Sequence, residues 1–541
     1  MTEFRTLIPS RLPGLSATAL LDGAIIYVRA AEPDAFDALC TALTEDGYTK
    51  ENENTLDDCS FAAFTGDGVT CSVFYSPKEK VIRAVCENGI NLPPTEEKHP
   101  AVCTPLLMQL KLTNIRADCG MSYAFRLSDG RFVLLDGGDD DYEEHERLYD
   151  TLQKFNVLGK EPIIAAWLFS HPHGDHISAF VNFVRDHSNV KIENIVYNFD
   201  GDVICSAMFA YPGFYKTLDN LKDTRVFIAR TGQVYRFGDA AFEVIGTGDD
   251  HCPARLWTCN ESSVVFKLTI AGRTVMLPGD AMHIAEGLLI KRYAPEYLHC
   301  EFFQVGHHGF GSANGDFVAA IDPDAVLWSS PDFWYHNVSK WECNDAIRAY
   351  SHAKVLCRSG VETCVFDLTK PVEDVARFGC PKLPYVLDIK GITRVVDLNF
   401  ESCTGGSSGY RSMKFSLEKE PDAYVNMVSE GTTMANLMRA ETITPSKVTI
   451  HLTYSAEGER LALLVNDQKP TTLDHEFAFL DLPVDGKTHD AVLIIDKDAL
   501  RAVLDVDGET VAKKTYDTWA ESSVFLYTEK VTVRLFALDA K

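Results

Sequence analysis

The chain has 541 residues, 46% of them hydrophobic and 24% charged, proportions usual for a globular protein and long enough for about three domains. With 51 Lys and Arg against 78 Asp and Glu, the formal net charge is −27, which disfavours a phosphate-tracking surface and hence nucleic acid as a partner. The 15 cysteines include no Cys-x-x-Cys pair, which excludes zinc-ribbon and thioredoxin-type readings and leaves reduced thiols in a cytoplasmic protein as the expectation. The opening MTEFRTLIPSRLPG lacks the apolar stretch of a secretory signal, and the run Ile163–Phe169 is too short to cross a bilayer, so no membrane role is expected.

Residues 17–90 read as a small α+β unit. Ala24–Val28 has strand character, Asp34–Thr44 has helical spacing of apolar residues, and Val69–Tyr75 and Val81–Cys86 read as further strands. The polar, proline-bearing stretch Asn91–Lys98 marks a boundary, giving 1–98 as the first domain. From 99 to 384 short apolar strands alternate with helical segments, which predicts a layered α/β domain. From 385 to 541 the runs are strand-like: Val448–Leu452, Leu461–Val465, Ala491–Ile495 and Val531–Leu535. Asp507-Gly508 signals a hairpin, so this region is predicted to be an all-β sandwich.

The chemistry concentrates in Ile163–His176, where an apolar strand runs into His171-Pro172-His173-Gly174-Asp175-His176. In extended backbone residues two apart point the same way, so His171 and His173 can converge on one ion. Gly174 lets the chain turn and redirects Asp175 and His176 towards a second ion about 3.5–4 Å away. Imidazole with carboxylate suits zinc, manganese or iron rather than calcium. Three more strands end in potential ligands: Leu135-Asp136-Gly137-Gly138, Leu277-Pro278-Gly279-Asp280 and Val305-Gly306-His307-His308-Gly309. Ligands at the ends of different strands can share one crevice.

These four motifs, in this order, resemble the metallo-β-lactamase-fold superfamily over residues 103–380. The resemblance implies an αββα sandwich with a mononuclear or dinuclear metal centre at one sheet edge. By it, His171 and His173 would bind the first ion and Asp175 and His176 the second. Asp280 would bridge the two, one of the His307-His308 pair would complete the second, and Asp136 would order the ligand loop. Within the superfamily the chain is similar to the soluble domain of ComEC-type competence proteins, through Asn260-Glu261-Ser262-Ser263-Val264-Val265 and through Trp334-Tyr335-His336-Asn337. The Gly-His-Thr context that usually supplies another histidine is absent. His251 is a candidate substitute, with Cys252 and Cys259 as softer ones, and His187 and His283 are read as surface histidines. The C-terminal region resembles concanavalin-like, laminin-G-type sandwiches through Leu504–Glu509.

The expected activity is metal-dependent hydrolysis by a metal-bridging hydroxide, supported by two divalent ions, zinc first and manganese or iron as alternatives. Asp175 would orient the nucleophile and His336 would donate a proton to the leaving group. The expected substrate is a phosphodiester or related ester, small or glycan-linked. The alternatives are a lactonase or amide hydrolase, or a metal-binding protein that has lost catalysis and serves in recognition. No sequence feature sets an oligomeric state.

Overall fold

The computed structural model describes residues 16–20, 25–94, 99–112, 120–139, 144–199, 211–251, 258–311, 314–330, 342–349, 353–360, 363–378, 387–392, 400–401, 419–428, 432–438, 447–468, 475–516 and 521–540. Those up to Phe378 form one compact unit and those from Leu387 onward a second.

The first unit begins with a six-stranded antiparallel sheet in the order Ser16–Leu20, Ile25–Arg29, Val81–Asn88, Val69–Ser76, Cys59–Gly66, Thr49–Leu56. The helix Pro33–Glu45 starts with proline in its first turn, where the missing N–H costs nothing, and buries Phe36, Leu39, Ala42 and Leu43 on one face. That stripe packs on Ile26, Val28, Ala62, Phe64 and Val73 of the sheet. The sequence reading sets this segment apart as its own domain. In the structure it belongs to the same compact unit as the layers that follow. Buried charges join it to them: Arg292, 0% exposed, donates to Glu79 Oε2 and to Asp250 Oδ2, each at 2.8 Å. Arg83 pairs with Glu79 at 3.0 Å, while Arg230 joins Glu87 at 3.0 Å to Asp249 at 2.8 Å. Buried charges this close hold their partners firmly, because separating either leaves an uncompensated ion.

The rest of the unit has four layers. One sheet runs Arg225–Ile228, Asn194–Tyr197, Ile163–Leu168, Phe132–Asp136, Ser122–Arg126, Leu106–Gln109, Thr363–Asp367, Ala376–Phe378. The other runs Val234–Phe237, Ala240–Gly246, Val265–Ile270, Arg273–Leu277, Phe302–Gln304, Ala325–Trp328, Val355–Arg358. Strand alternation builds the layers. Val133 and Leu135 join Phe242, Phe266 and Leu277 in the core between the sheets, whereas Phe132 and Leu134 turn out to Leu148, Ile177 and Phe180 of the helices Glu144–Phe155 and Gly174–Asp186. On the other side Phe302 faces inward, and Phe303 meets Phe317 of the helix Gly315–Ile321 with ring centroids 6.3 Å apart. The expected αββα order is therefore what these residues form.

The second unit is all-β, as expected, but its runs are longer than the sequence suggests. Val448–Leu452 and Leu461–Val465 belong to one strand, Lys447–Gln468, paired along its length with Glu521–Ala540. The two halves of that strand take different neighbours, Asp485–Asp496 for the first and His475–Leu482 for the second. The change falls at Gly458, φ 147°, where a Cβ would overlap the Lys530 carbonyl and Val531 Cα. Val448, Ile450, Leu463, Val465, Leu480, Leu493 and Leu504 share one apolar core. Asp507-Gly508 makes the predicted turn, with φ of 53° and 85°. Among the described residues no helix is long and apolar enough to cross a membrane.

Candidate metal centre

The strands Phe132–Asp136 and Ile163–Leu168 are parallel neighbours, as are Arg273–Leu277, Phe302–Gln304 and Ala325–Trp328. Their carboxyl ends therefore reach the same rim, which is how motifs spread over 173 positions (Asp136 to His308) meet. Asp136 leaves its strand at φ 54°, a left-handed conformation that aspartate tolerates better than most residues. Its carboxylate, fully buried, accepts from Ser170 N, Ser170 Oγ and His176 Nδ1, each at 2.8 Å. His308 Nδ1 donates to the Ser329 carbonyl at 2.5 Å, and Ser170 Oγ lies 3.0 Å from His171 Nδ1. Each of these three rings thus has its Nδ1 engaged, which fixes ring orientation and leaves Nε2 turned to the centre.

There His176 Nε2 lies 3.2 Å from His308 Nε2, 3.3 Å from Asp280 Oδ2 and 3.8 Å from Asp175 Oδ2. His308 Nε2 lies 3.2 Å from Asp175 Oδ2 and 3.5 Å from Asp280 Oδ2. Four donors around one tetrahedral ion with bonds of about 2.0–2.2 Å are separated by about 3.3–3.6 Å. The cage fits a zinc-sized ion. Asp280 Oδ2 is also 3.6 Å from His171 Nε2, so one carboxylate faces both halves of the motif. His171 Nε2 and Asp280 Oδ1 are buried without hydrogen-bond partners, a cost that a bound cation would remove. His173 precedes the helix Gly174–Asp186 in extended backbone, and its ring centroid lies 4.5 Å from that of His171, as spacing of two in an extended segment requires.

The loops that carry these groups are stitched together by polar side chains. Gln304 receives the Gly279 N–H at 2.9 Å and donates to the Gly279 carbonyl at 2.8 Å, fastening the Asp280 loop to the strand that leads to His308. Gly279, φ 61°, comes so close to Ser170 that a Cβ would overlap the serine side chain, so glycine is needed for the Asp280 and His171 loops to touch. Ser263 Oγ accepts from Asp280 N at 3.1 Å, and Glu261 accepts from the Met282, Ile284 and Ala285 amides that open the helix His283–Arg292. Asn260 Nδ2 donates to His307 Nε2 at 2.9 Å.

Charge in the centre is strongly coupled. Burial alone would lower the His176 imidazole, but Asp280, Asp136 and Asp175 raise it to about 10. Burial likewise opposes the charged form of His308, and Asp280 and Asp175 overcome it and raise its pKa well above the usual value. Burial would raise the Asp280 carboxyl, and His176, His308 and His171 hold it well below the carboxylate range. His171 shifts the other way, lowered by burial and then by His176. These imidazoles must give up the Nε2 proton to bind an ion, so ion binding and proton release are linked.

Of the sequence candidates, His171, His176 and Asp280 lie within ligating reach of one another, as do Asp175, His176 and His308. His308 rather than His307 joins them, because the pair sits at φ 43° and 52° and only His308 is turned inward, with Ser329 behind it. His251 is buried at the end of the turn Gly248–His251, where Asp250, Glu261 and Arg292 act on its ring, and among the described residues it joins neither ligand group. His336 and Cys252 lie outside the described residues. Cys259 is disulfide-bonded, contrary to the expectation of reduced thiols throughout. His187 is not a free surface histidine, since its ring stacks on Tyr149 with centroids 3.9 Å apart. Sequence reasoning missed Ser170, Ser263 and Gln304, small polar residues whose value lies in partners far along the chain.

No protein-family profile and no curated protein matches this chain. Among solved structures, it is similar to the metallo-beta-lactamase fold protein YhfI from Bacillus subtilis, with 15% identity, a TM-score of 0.33, and coverage of 48% of this chain and 99% of that one. A Thermotoga maritima protein assigned to the Zn-dependent hydrolases of the metallo-beta-lactamase superfamily shows 10% identity, a TM-score of 0.23, and coverage of 47% and 98%. The carbohydrate binding module CBM66 from Bacillus subtilis shows 10% identity, a TM-score of 0.16, and coverage of 22% of this chain and 86% of that one.

Proposed function

We propose that the chain is a metal-dependent hydrolase acting on a phosphodiester or related ester, with a small or glycan-linked substrate. The observation that carries this reading is the cluster of His176, His308, Asp175 and Asp280, whose donor separations of 3.2 to 3.8 Å bracket those around a tetrahedral ion. These four would hold one ion, and His171, His173 and the shared Asp280 the other, zinc first and manganese or iron as alternatives. When bound, such ions acidify water and face the negative charge that develops on a substrate oxygen. The protein's own part is to aim and to exclude. Asp136 keeps the His176 proton on Nδ1, so that Nε2 offers its lone pair. Asp175, with a quarter of its side chain exposed, can also orient an attacking water. His336 is proposed as proton donor to the leaving group.

A second reading, a metal-binding protein without catalysis, is favoured by one observation. In place of the expected further histidine, His171 has beside it His176, with ring centroids 4.2 Å apart, a residue that the other ion would also need. Metal analysis of the purified protein together with phosphodiester, phosphomonoester, lactone and amide substrates separates the readings. Metal content with turnover of a phosphodiester, lost on adding a chelator, is the expected result. Full metal content with no turnover on any substrate supports the second reading, and a protein that binds no divalent ion removes both.

A further inference from the structure

We propose a second, separate metal site on the outer helical layer, built from His145, Glu146, Asp186 and His187 and suited to one zinc ion. The residues form two dyads: His145-Glu146 opens the helix Glu144–Phe155, and Asp186-His187 closes the helix Gly174–Asp186. The dyads face each other across the helix pair. His145 Nε2 lies 3.1 Å from Asp186 Oδ2 and 3.5 Å from Glu146 Oε1, and His187 Nε2 lies 3.3 Å from the same Glu146 oxygen. Donors around a tetrahedral zinc with bonds of about 2.0–2.2 Å stand about 3.3–3.6 Å apart, and these three separations, 3.1 to 3.5 Å, lie close to that range, with His145, Glu146 and Asp186 all within reach of one another.

Two further observations point to a missing cation. His187 Nε2 is shielded from solvent and makes no hydrogen bond, although a carboxylate oxygen lies within reach. Its ring is held in that direction by Tyr149, stacked at an interplanar angle of 7°. The second is that two imidazoles converge on Glu146, which among the described residues has no Lys or Arg partner within 4 Å to share it. Asp186 is also held by Arg185, which donates to its two oxygens at 2.7 and 2.6 Å. The Arg185 side chain is 64% exposed and free to leave when an ion arrives. Two neutral imidazoles and two carboxylates exactly balance a divalent charge, and this donor set suits zinc better than calcium or magnesium. The helix Gly174–Asp186 has 13 residues, so at about 1.5 Å per residue this site is about 18 Å from the candidate centre at the helix's other end. An ion here would clamp the end of the very helix whose first turn carries Asp175 and His176.

The test uses the metal-stripped full-length protein and zinc alone, counted by equilibrium dialysis in the parent, in Glu146→Gln and in Asp186→Asn. Both substitutions keep side-chain shape at residues that are 44% and 35% exposed, and melting of the metal-free proteins checks that each is folded. The parent should bind one more zinc per chain than either variant, and zinc should slow hydrogen exchange at the carboxyl end of Gly174–Asp186 in the parent alone. Repeating the count in a His176→Ala background should leave that difference of one unchanged. Equal zinc counts in the parent and both variants overturn the proposal, as does a difference seen only at millimolar zinc.

Discussion

Replacing Asp136 by asparagine tests whether the candidate centre depends on a chosen imidazole tautomer. The carboxylate accepts three hydrogen bonds at 2.8 Å, from Ser170 N, Ser170 Oγ and His176 Nδ1, in a place with no solvent to substitute. An asparagine has one acceptor oxygen. If that oxygen keeps the Ser170 amide, an NH2 group faces His176 Nδ1, which must then give up its proton and carry it on Nε2. That nitrogen is the one 3.3 Å from Asp280 and 3.2 Å from His308. A protonated Nε2 cannot donate a lone pair to an ion. Partners that fix a metal-ligating histidine typically contribute about 10–100-fold in affinity, or about 1.4–2.8 kcal/mol. Zinc affinity of the metal-stripped variant, read by competition with a chromophoric chelator, should fall by that factor. Stability in the presence of chelator should fall by about 1–3 kcal/mol for the polar groups left mismatched. Ser170→Ala, which leaves the Asp136–His176 contact in place, should cost less zinc affinity than Asp136→Asn. Unchanged zinc affinity in Asp136→Asn, whatever happens to stability, would refute the tautomer argument.

Asp280→Asn removes the carboxylate that faces both halves of the motif, so zinc content and hydrolysis should both be lost; retention of either shows that the oxygen is not shared. Glu79 is held near a pKa of about 2, against an ordinary 4.5, because Arg292 and Arg83 outweigh the cost of burial. Its stabilisation, about 3 kcal/mol, is therefore present above pH 4.5 and lost as pH falls towards 2. Urea unfolding of Glu79→Gln should lie that far below the parent at pH 7 and converge with it towards pH 2; a gap independent of pH contradicts the assignment. Deleting residues 1–94 should abolish soluble, metal-binding protein, since Arg292 and Arg230 lose their buried partners, whereas truncation after Gly379 should leave zinc binding intact. If the second unit recognises substrate, the same truncation should raise KM for a glycan-linked ester and spare a small one, and equal losses on both would exclude that role.

The candidate ligands were legible as a cluster because their chemistry resides in residue type and their placement in local spacing: three histidines and an aspartate in six positions have few other uses. Strand ends were legible for the same reason, as apolar runs stopping at Asp136, Asp280 and His308. The undecided choice between His307 and His308 turned on left-handed backbone at both residues and on the Ser329 carbonyl, which the sequence places 21 positions away. Asp250 pairs with Arg292, 42 positions on, which also holds Glu79, a network that no local spacing announces. The same network makes the N-terminal sheet part of the first unit, although Asn91–Lys98 reads as a linker. Long strands were cut short in the reading because Ser455–Arg460 is polar, and a hydrophobic pattern ends where a strand merely changes partners at Gly458.

The pairing of Lys447–Gln468 with Glu521–Ala540 bears on how the chain folds as it is made. Contacts run from Ile450 with Ala540 to Gln468 with Glu521, so a central strand waits at least 53 residues for its partner. Until then Val448, Ile450, Leu452, Leu461, Leu463 and Val465 stand along an open edge, the arrangement that invites pairing with another chain. The first unit is complete by Phe378 and can fold on the ribosome well before this happens. Nascent chains halted between residues 470 and 520 should therefore carry a folded, protease-resistant first unit with an aggregation-prone tail, and they should gain solubility abruptly once Glu521–Ala540 has emerged.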